Sequence, residues 1–318
     1  MKALTLSTFG GSDVLEYKNV PNPVLKAGEI LVEMKAIGLN YADIMRRSGI
    51  YPLRGNAPYI NGYEGAGMVK ESLNASYKIG DRVAFTDVPF ANAELVAVSD
   101  EHIIPLPDDI SFEAAAASLL QGLTAQYLTA DSHKIKPGET ALVHASAGGV
   151  GQLLIQICKL LGAKVIGLTS SESKKQISLS LGADAVFLYN EDWQLEVLDI
   201  CPEGVDVVYD SIGSTMEGSL AVTKVLGQIV FFGMAGGSLN LGNPLLIIAN
   251  SKTITGGDLW NYLTSKEERI KRTAELFGWI KEKKITISEP TKFKLSEGKQ
   301  AHDFLESRKS TGKIIMIP

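Results

Sequence analysis

The stretch ALVHASAGGVGQLLIQICKLLGAKVIGLTSSESKKQ, from Ala141 to Gln176, holds the residues whose types and spacing point most directly to chemistry. Ala147, Gly148, Gly149, Val150 and Gly151 form a turn between an apolar run and a helical stripe of Leu153, Leu154, Ile157, Leu160 and Leu161. A glycine pattern alone is weak evidence of a dinucleotide site, but one placed between a strand and a helix is much stronger, the alternative being a turn chosen only for its geometry. The turn brings backbone N–H groups to the start of a helix. Missing Cβ atoms let a pyrophosphate approach, and the helix dipole favours its charge. Gly151 would also allow the helix to pack closely on the strand.

An NAD site commonly carries an acidic residue about 20 positions beyond the glycines, for the ribose 2′-hydroxyl. Here Thr169, Ser170 and Ser171 stand in that region, followed by Lys174 and Lys175. Small hydroxyls and a cation suit a 2′-phosphate, which a carboxylate would repel. NADPH is therefore the expected cofactor. Both Lys174 and, more readily, Lys175 also read as part of a solvated helix face.

These residues need a scaffold. From about residue 121 apolar runs alternate with helical ones (TALVHA, KVIGLTS, AVFLY, VDVVYDS, QIVFFG), the mark of βαβ units and a parallel sheet. Residues 1–110 instead carry alternating patterns such as EILVEMKAIGLN, with many prolines, as strands and loops do. Short helices are expected around Tyr41–Ser48 and Phe112–Leu119, the second with Ser111 as N-cap. A charged helix over SKEERIKRTAELFGWIKEKK and a strand over KIIMIP close the chain. The fold class is α/β. A β-rich domain over residues 1–120, completed by about 262–318, accompanies a doubly wound domain over 121–261.

The bulk properties exclude several classes. The chain has 318 residues, enough for two domains, and 36 acidic against 31 basic residues, net −5. That balance argues against a nucleic-acid partner. Two cysteines outside any CxxC, Cys158 and Cys201, argue against a disulfide framework and fit a cytoplasmic setting. The start MKALTLSTFGG lacks the apolar core of a signal peptide. No run of about 18 apolar residues is free of polar interruption, so no membrane span is expected.

GLNYADIMRRSGIYP, GYEGAGMV, GDRVAF, EAAAASLLQGLTAQYL, VHASAGGVG and ESRKSTGKIIMIP together resemble the quinone oxidoreductase (zeta-crystallin-like, zinc-free) branch of the medium-chain dehydrogenase/reductase family. The resemblance spans nearly the whole chain. It implies a GroES-like substrate domain, a Rossmann domain, nicotinamide in the cleft between them, and a homodimer joined through the Rossmann sheets.

Many members of that family hold a catalytic zinc. Where they carry a ligand cysteine this chain has Asn40, and where they carry GHE it has Gly62-Tyr63-Glu64. The third position falls on Gln121 or Gly122, and the structural zinc lobe is missing. Zinc needs several N, S or O donors at short distance, and Glu64 alone cannot build a site. His102, His133, His144 and His302 are scattered, so no metal is expected. Glu64 is expected to be a buried carboxylate paired by a nearby cation.

The resemblance places Asn40 beside the nicotinamide or the acceptor carbonyl, although Asn is also a favoured N-cap for YADIMRR. Asp43 is assigned to cofactor support, or to answering the dipole of that helix. Tyr51 matches a tyrosine that lines the quinone site, where it would stack on a flat acceptor or simply pack the loop. Tyr63 replaces the ligand histidine and narrows the pocket or fills space. Met45 and Gly256 depart from relatives that carry tyrosine and arginine there. Thr124 resembles a residue near the nicotinamide ribose, Tyr189 one near the adenosine phosphate, and Arg308 one that approaches the phosphates. Phe232 and Gly233 end a strand where ligands bind in such sheets. Packing or surface roles serve each of these equally.

The leading reading is NADPH-dependent hydride transfer to quinones or related activated carbonyls without zinc. Reduction of α,β-unsaturated ketones or enoyl thioesters is the alternative enzyme. A cofactor-binding structural protein without turnover is the alternative of another class.

Overall fold

The computed structural model describes residues 1–189 and 192–318. The chain divides into two compact units: Met1–Leu120 with Leu263–Lys281 and Thr286–Pro318, and Gln121–Tyr262 with Glu282–Ile285.

The first unit begins with β1 (Lys2–Leu6), β2 (Leu15–Asn19), β3 (Glu29–Leu39), α1 (Tyr41–Arg47), β4 (Tyr59–Ile60), β5 (Glu64–Ser72), β6 (Arg82–Thr86), β7 (Leu95–Ser99) and β8 (Ile104–Pro105). Then follows α2 (Phe112–Tyr127), whose residues fall in both units. In the second unit come β9 (Thr140–Val143), α3 (Gly149–Leu160), β10 (Lys164–Thr169), α4 (Glu172–Ser180), β11 (Ala185–Leu188) and α5 (Trp193–Ile200). It continues with β12 (Val205–Asp210), α6 (Met216–Val222), β13 (Thr223–Phe231), α7 (Leu245–Ala249) and β14 (Thr253–Gly256). The chain returns to the first unit with α8 (Lys266–Lys281), β15 (Thr291–Lys294), α9 (Gly298–Glu306) and β16 (Ile314–Ile317).

In the first unit β3 is the axis. It pairs antiparallel with β5, with β7 through Glu29↔Ser99, and with β16 through Leu39↔Ile314. Its alternation predicted a half-buried strand. The pairing on several edges explains why Ile30, Val32, Ala36 and Ile37 are all fully buried. Val83, Phe85, Val96, Val98 and Met316 complete that core.

In the second unit, among the described residues, the parallel sheet runs β11-β10-β9-β12-β13-β14. Its central strands are apolar on both faces, as helices on both sides require. Leu142, Ile166, Leu168, Val208 and Ile229 form its core with Met216 and Leu220.

One local expectation differs from the structure. The helix expected over Phe112–Leu119 runs on to Tyr127 and ends in a π-type turn over Leu128–Ser132, because no proline interrupts it and Leu119, Leu123 and Leu128 stay buried. Ser111 Oγ caps its start, accepting the Ala114 N–H at 3.0 Å. Within SLAVTKVLG, α6 stops at Val222, and Thr223 pairs in register with Val205.

Candidate active site

In the second unit β9 ends at Val143, and the chain turns through His144, Ala145 and Ser146 into α3, which Gly148 caps. Ala145 adopts φ 48°, left-handed backbone that a residue with a Cβ rarely takes. Tyr189 Oη accepts the Ala145 N–H at 2.9 Å, and the Ser146 N–H donates to the Leu168 carbonyl at 2.9 Å. A Cβ at position 151 would collide with the Ala145 carbonyl oxygen, and one at 149 with the Gln121 side chain. Both glycines are therefore set by close approach. The first turn of α3 carries no acidic residue, so nothing competes with an anion there.

At the end of β10, Thr169 is buried and Ser170 exposed. Ser171 caps α4, its Oγ accepting the Lys174 N–H at 3.4 Å. The half-buried Lys174 ammonium is held below its ordinary pKa by burial. The first carboxylate after β10 is Glu172, inside α4. This donor set fits a 2′-phosphate.

Beneath the turn runs a hydrogen-bonded chain that the sequence did not announce. Ser219 Oγ lies 2.7 Å from Asp210 Oδ2 and 2.9 Å from His144 Nε2, while His144 Nδ1 lies 3.0 Å from Tyr189 Oη. Asp210 also accepts the Ile212 and Gly213 N–H groups and the Thr215 hydroxyl. Burial raises the Asp210 carboxyl, but His144, the two N–H donors and Ser219 outweigh it, and its pKa falls below the usual range. Burial holds His144 neutral. The ionised Asp210 must take the Ser219 proton, so Ser219 accepts from His144 Nε2–H. Tyr189 then donates to His144 Nδ1 and accepts from Ala145. The chain has a single polarity from the glycine turn to the end of β12. The tyrosine hydroxyl is thus engaged by protein in this structure.

The remaining candidates of this unit are dispersed along its elements. Thr124 is buried on α2, and Phe232 and Gly233 are half-buried just past β13, with the Phe232 N–H donating to Asp210 O at 3.0 Å. Gly256 ends β14. Arg308 belongs to the first unit, exposed and at φ 58°.

The first unit gathers Asn40, Asp43, Tyr63 and Glu64. Asn40 and Asp43 frame α1: the Asn40 N–H donates to Asp43 Oδ2 at 2.9 Å, one half of a capping box. Asp43 is fully buried, which raises its pKa against the opposing pull of Arg46 and the Asn40 N–H. Arg46 Nη1 donates to Asp43 Oδ1 at 3.2 Å, and its guanidinium lies 3.7 Å from the Tyr63 ring centroid. Burial raises the Tyr63 phenol, with Arg46 and an N–H from Arg54 working the other way. Tyr51 is half-buried, and among the described residues no side-chain hydrogen bond joins it to this set. Met45, beside it in the fold, is buried.

Glu64 is completely buried and its cation is Lys313, a residue to which sequence reasoning gave no role. Lys313 Nζ donates to Glu64 Oε2 at 2.6 Å and to Asn40 Oδ1 at 2.7 Å. Asn40 Nδ2 donates to Glu64 Oε2 at 2.8 Å, and the Leu120 N–H to Glu64 Oε1 at 2.7 Å. Gly38 of β3 leaves the room, since a Cβ there would collide with the carboxylate. The available signal was a lysine placed directly before the apolar run IIMIP. Zinc does not fit these residues. Asn40 is neutral, Tyr63 is a neutral phenol, and an ammonium already neutralises Glu64. Among the described residues no three His, Cys, Asp or Glu side chains converge as a metal site requires.

Comparison with known proteins agrees with this architecture. Residues 26–139 match the alcohol dehydrogenase GroES-like domain, and residues 149–277 the zinc-binding dehydrogenase domain. The chain is 38% identical to a quinone oxidoreductase of Pseudomonas aeruginosa, over 100% of this chain and 99% of that one. It is 39% identical to quinone oxidoreductase 1 of Escherichia coli, over 97% of each. The crystal structure of the Escherichia coli quinone oxidoreductase complexed with NADPH superposes with TM-score 0.95, at 36% identity and full coverage of both chains. This chain belongs to the quinone oxidoreductase branch of the medium-chain dehydrogenase/reductase family.

Proposed function

We propose that the protein is an NADPH-dependent, zinc-independent oxidoreductase that reduces quinones or related activated carbonyls. The observation that carries the cofactor choice is the end of β10, where Thr169, Ser170 and Lys174 stand in place of a carboxylate. Bound NADPH would supply the hydride. Ala147, Gly148, Gly149, Val150 and Gly151 cradle the pyrophosphate at the start of α3, and Lys174 with Thr169 and Ser170 meets the 2′-phosphate. Thr124, Tyr189, Phe232, Gly233 and Arg308 are the further cofactor-side assignments, and Asp43 holds the Asn40 turn that serves both ligands. On the acceptor side Asn40 donates to the carbonyl oxygen on which charge develops, while Tyr51 and Tyr63 wall a flat ring. Solvent supplies the proton that completes the hydroquinone. The residues 1–120 and 262–318 are assigned to the acceptor and 121–261 to the dinucleotide.

The second unit also supports a homodimer. Strand β14 is the edge of its sheet, and Val225, Leu226, Leu245 and Ile248 are 60%, 74%, 63% and 75% exposed. An open edge and a group of bare apolar side chains favour self-association. Among the described residues no helix is long and apolar enough to cross a membrane. Two free thiols, Cys158 and Cys201, support a cytoplasmic setting.

The test is loss of reduced-nicotinamide absorbance with a benzoquinone, a naphthoquinone, an alkenone and an enoyl thioester, each with NADPH and with NADH, with and without chelator. NADPH-selective quinone turnover that ignores chelator is expected. Turnover with the enone or thioester alone would replace the acceptor, and tight NADPH binding without turnover would replace the enzyme. Light scattering of the purified chain tests the dimer.

A further inference from the structure

Resting on that reading of Asn40, we infer that Lys313 is a positioning residue for hydride transfer: its ammonium fixes which way the Asn40 amide faces. An asparagine amide has two ends of nearly equal size, and only its hydrogen-bond partners decide its orientation. Lys313 has donors and no acceptor, so the atom 2.7 Å from its Nζ must be the Asn40 oxygen. Glu64 Oε2 is an acceptor, so the atom 2.8 Å from it must be the Asn40 nitrogen. The two constraints agree, and both come from one ion pair that is 2% and 0% exposed at its side chains. One proton of Asn40 Nδ2 is spent on Glu64. The second is uncommitted among the described residues, and it is the one available to an acceptor oxygen.

The carboxylate is itself held by three donors. Lys313 and Asn40 donate to Oε2, the Leu120 N–H donates to Oε1, and Gly38 leaves the space. Packing alone would not need an ion pair here, because a buried pair stabilises a fold little better than apolar side chains of the same volume. What the pair supplies is a fixed orientation and a polarised amide. An ammonium on the amide oxygen strengthens the amide N–H as a donor. The residue that leads into β16 thereby acts on a side chain at the start of α1.

The experiment compares wild type, Asn40→Ala, Glu64→Gln/Lys313→Met and the triple variant carrying all three changes. The paired change removes both charges together, so no buried ion is left alone. In it the new glutamine amide can donate to Asn40 Oδ1 and turn the asparagine over. Quinone kcat is expected to fall about 10–100-fold in the paired variant, below the loss of about 10²–10³ seen when an oxyanion donor is deleted outright. NADPH Kd and quinone KM should stay within about threefold, a split that general loosening would not give. Adding Asn40→Ala to the paired variant should bring kcat only to the level of Asn40→Ala alone, because residues acting as one unit are not additive. Wild-type kcat in the paired variant, or a full further loss in the triple variant, would overturn the inference and leave the function intact. An unaffected Asn40→Ala would instead remove Asn40 from the acceptor side. If the paired variant does not fold, Lys313→Arg decides: a folded protein with more than about a tenth of wild-type kcat supports the role, since charge and donors persist, and a greater loss rejects it.

Discussion

The Arg46 guanidinium lies 3.7 Å from the centroid of the Tyr63 ring while its Nη1 reaches Asp43 Oδ1 at 3.2 Å. One side chain thus joins the residue at the former ligand position to the third residue of α1. Arg46→Leu should lower stability to urea by about 3 kcal/mol, because it strands a buried carboxylate. Arg46→Lys should lose less, keeping the charge but not the flat stack. A leucine variant within about 1 kcal/mol of wild type would show that the pair is dispensable.

Lys174 distinguishes the two dinucleotides. Lys174→Glu should weaken NADPH by about 30–100-fold, the size of a lost charge-assisted contact plus repulsion. NADH should be nearly unaffected. Fluorescence titration of both cofactors reads the difference, and equal losses would place the 2′-phosphate elsewhere.

Tyr189→Phe removes the acceptor for the Ala145 N–H and the donor to His144 at once. An unsatisfied buried N–H costs about 1–3 kcal/mol. Both unfolding stability and NADPH affinity should fall, because the atom affected sits in the glycine turn. Nitrogen NMR of wild-type His144 should find the proton on Nε2. A proton on Nδ1 would reverse the chain deduced above.

The pH dependence of stability has a definite sign near neutrality. His302 is fully buried against Arg47, whose Nη1 donates to its Nδ1 at 3.2 Å, and burial with that positive charge lowers its pKa from 6.5 to about 3. The unfolded chain takes up a proton below pH 6.5 that the folded chain refuses. Stability is therefore complete above pH 6.5 and falls with pH, by about 2 kcal/mol between pH 6.5 and 5. His144, lowered by burial, adds in the same direction. Asp43, raised by burial, opposes them only nearer the carboxylate range. Urea midpoints between pH 5 and 7 should decline for wild type and flatten for His302→Gln.

Local periodicity carried most of the fold. The β9–α3–β10 pattern was legible because a strand buried on both faces, a glycine turn and an amphipathic helix each leave a short-range mark. The end of α6 was harder: Val222 and Thr223 suit either state, and only the pairing of Thr223 with Val205 decides. The site was legible by halves. The glycine turn and Lys174 lie within one segment, so spacing revealed them. Glu64 signalled a missing cation, but its partner stands 249 positions away, and nothing short-range in a sequence records such a contact. Arg46 was hidden for a different reason: in MRR it reads as one of two equivalent surface arginines, whereas both are buried.

The one-way chain from Ala145 through Tyr189, His144 and Ser219 to Asp210 has a consequence for inheritance. Tyr189, His144 and Ser219 are each both donor and acceptor in a fixed sense, so a change at one reverses or orphans the next. Single replacements would be costly, and matched ones cheap. Among descendants of this sequence, positions 144, 189, 210 and 219 should therefore be kept together or lost together, even where the acceptor they serve has changed.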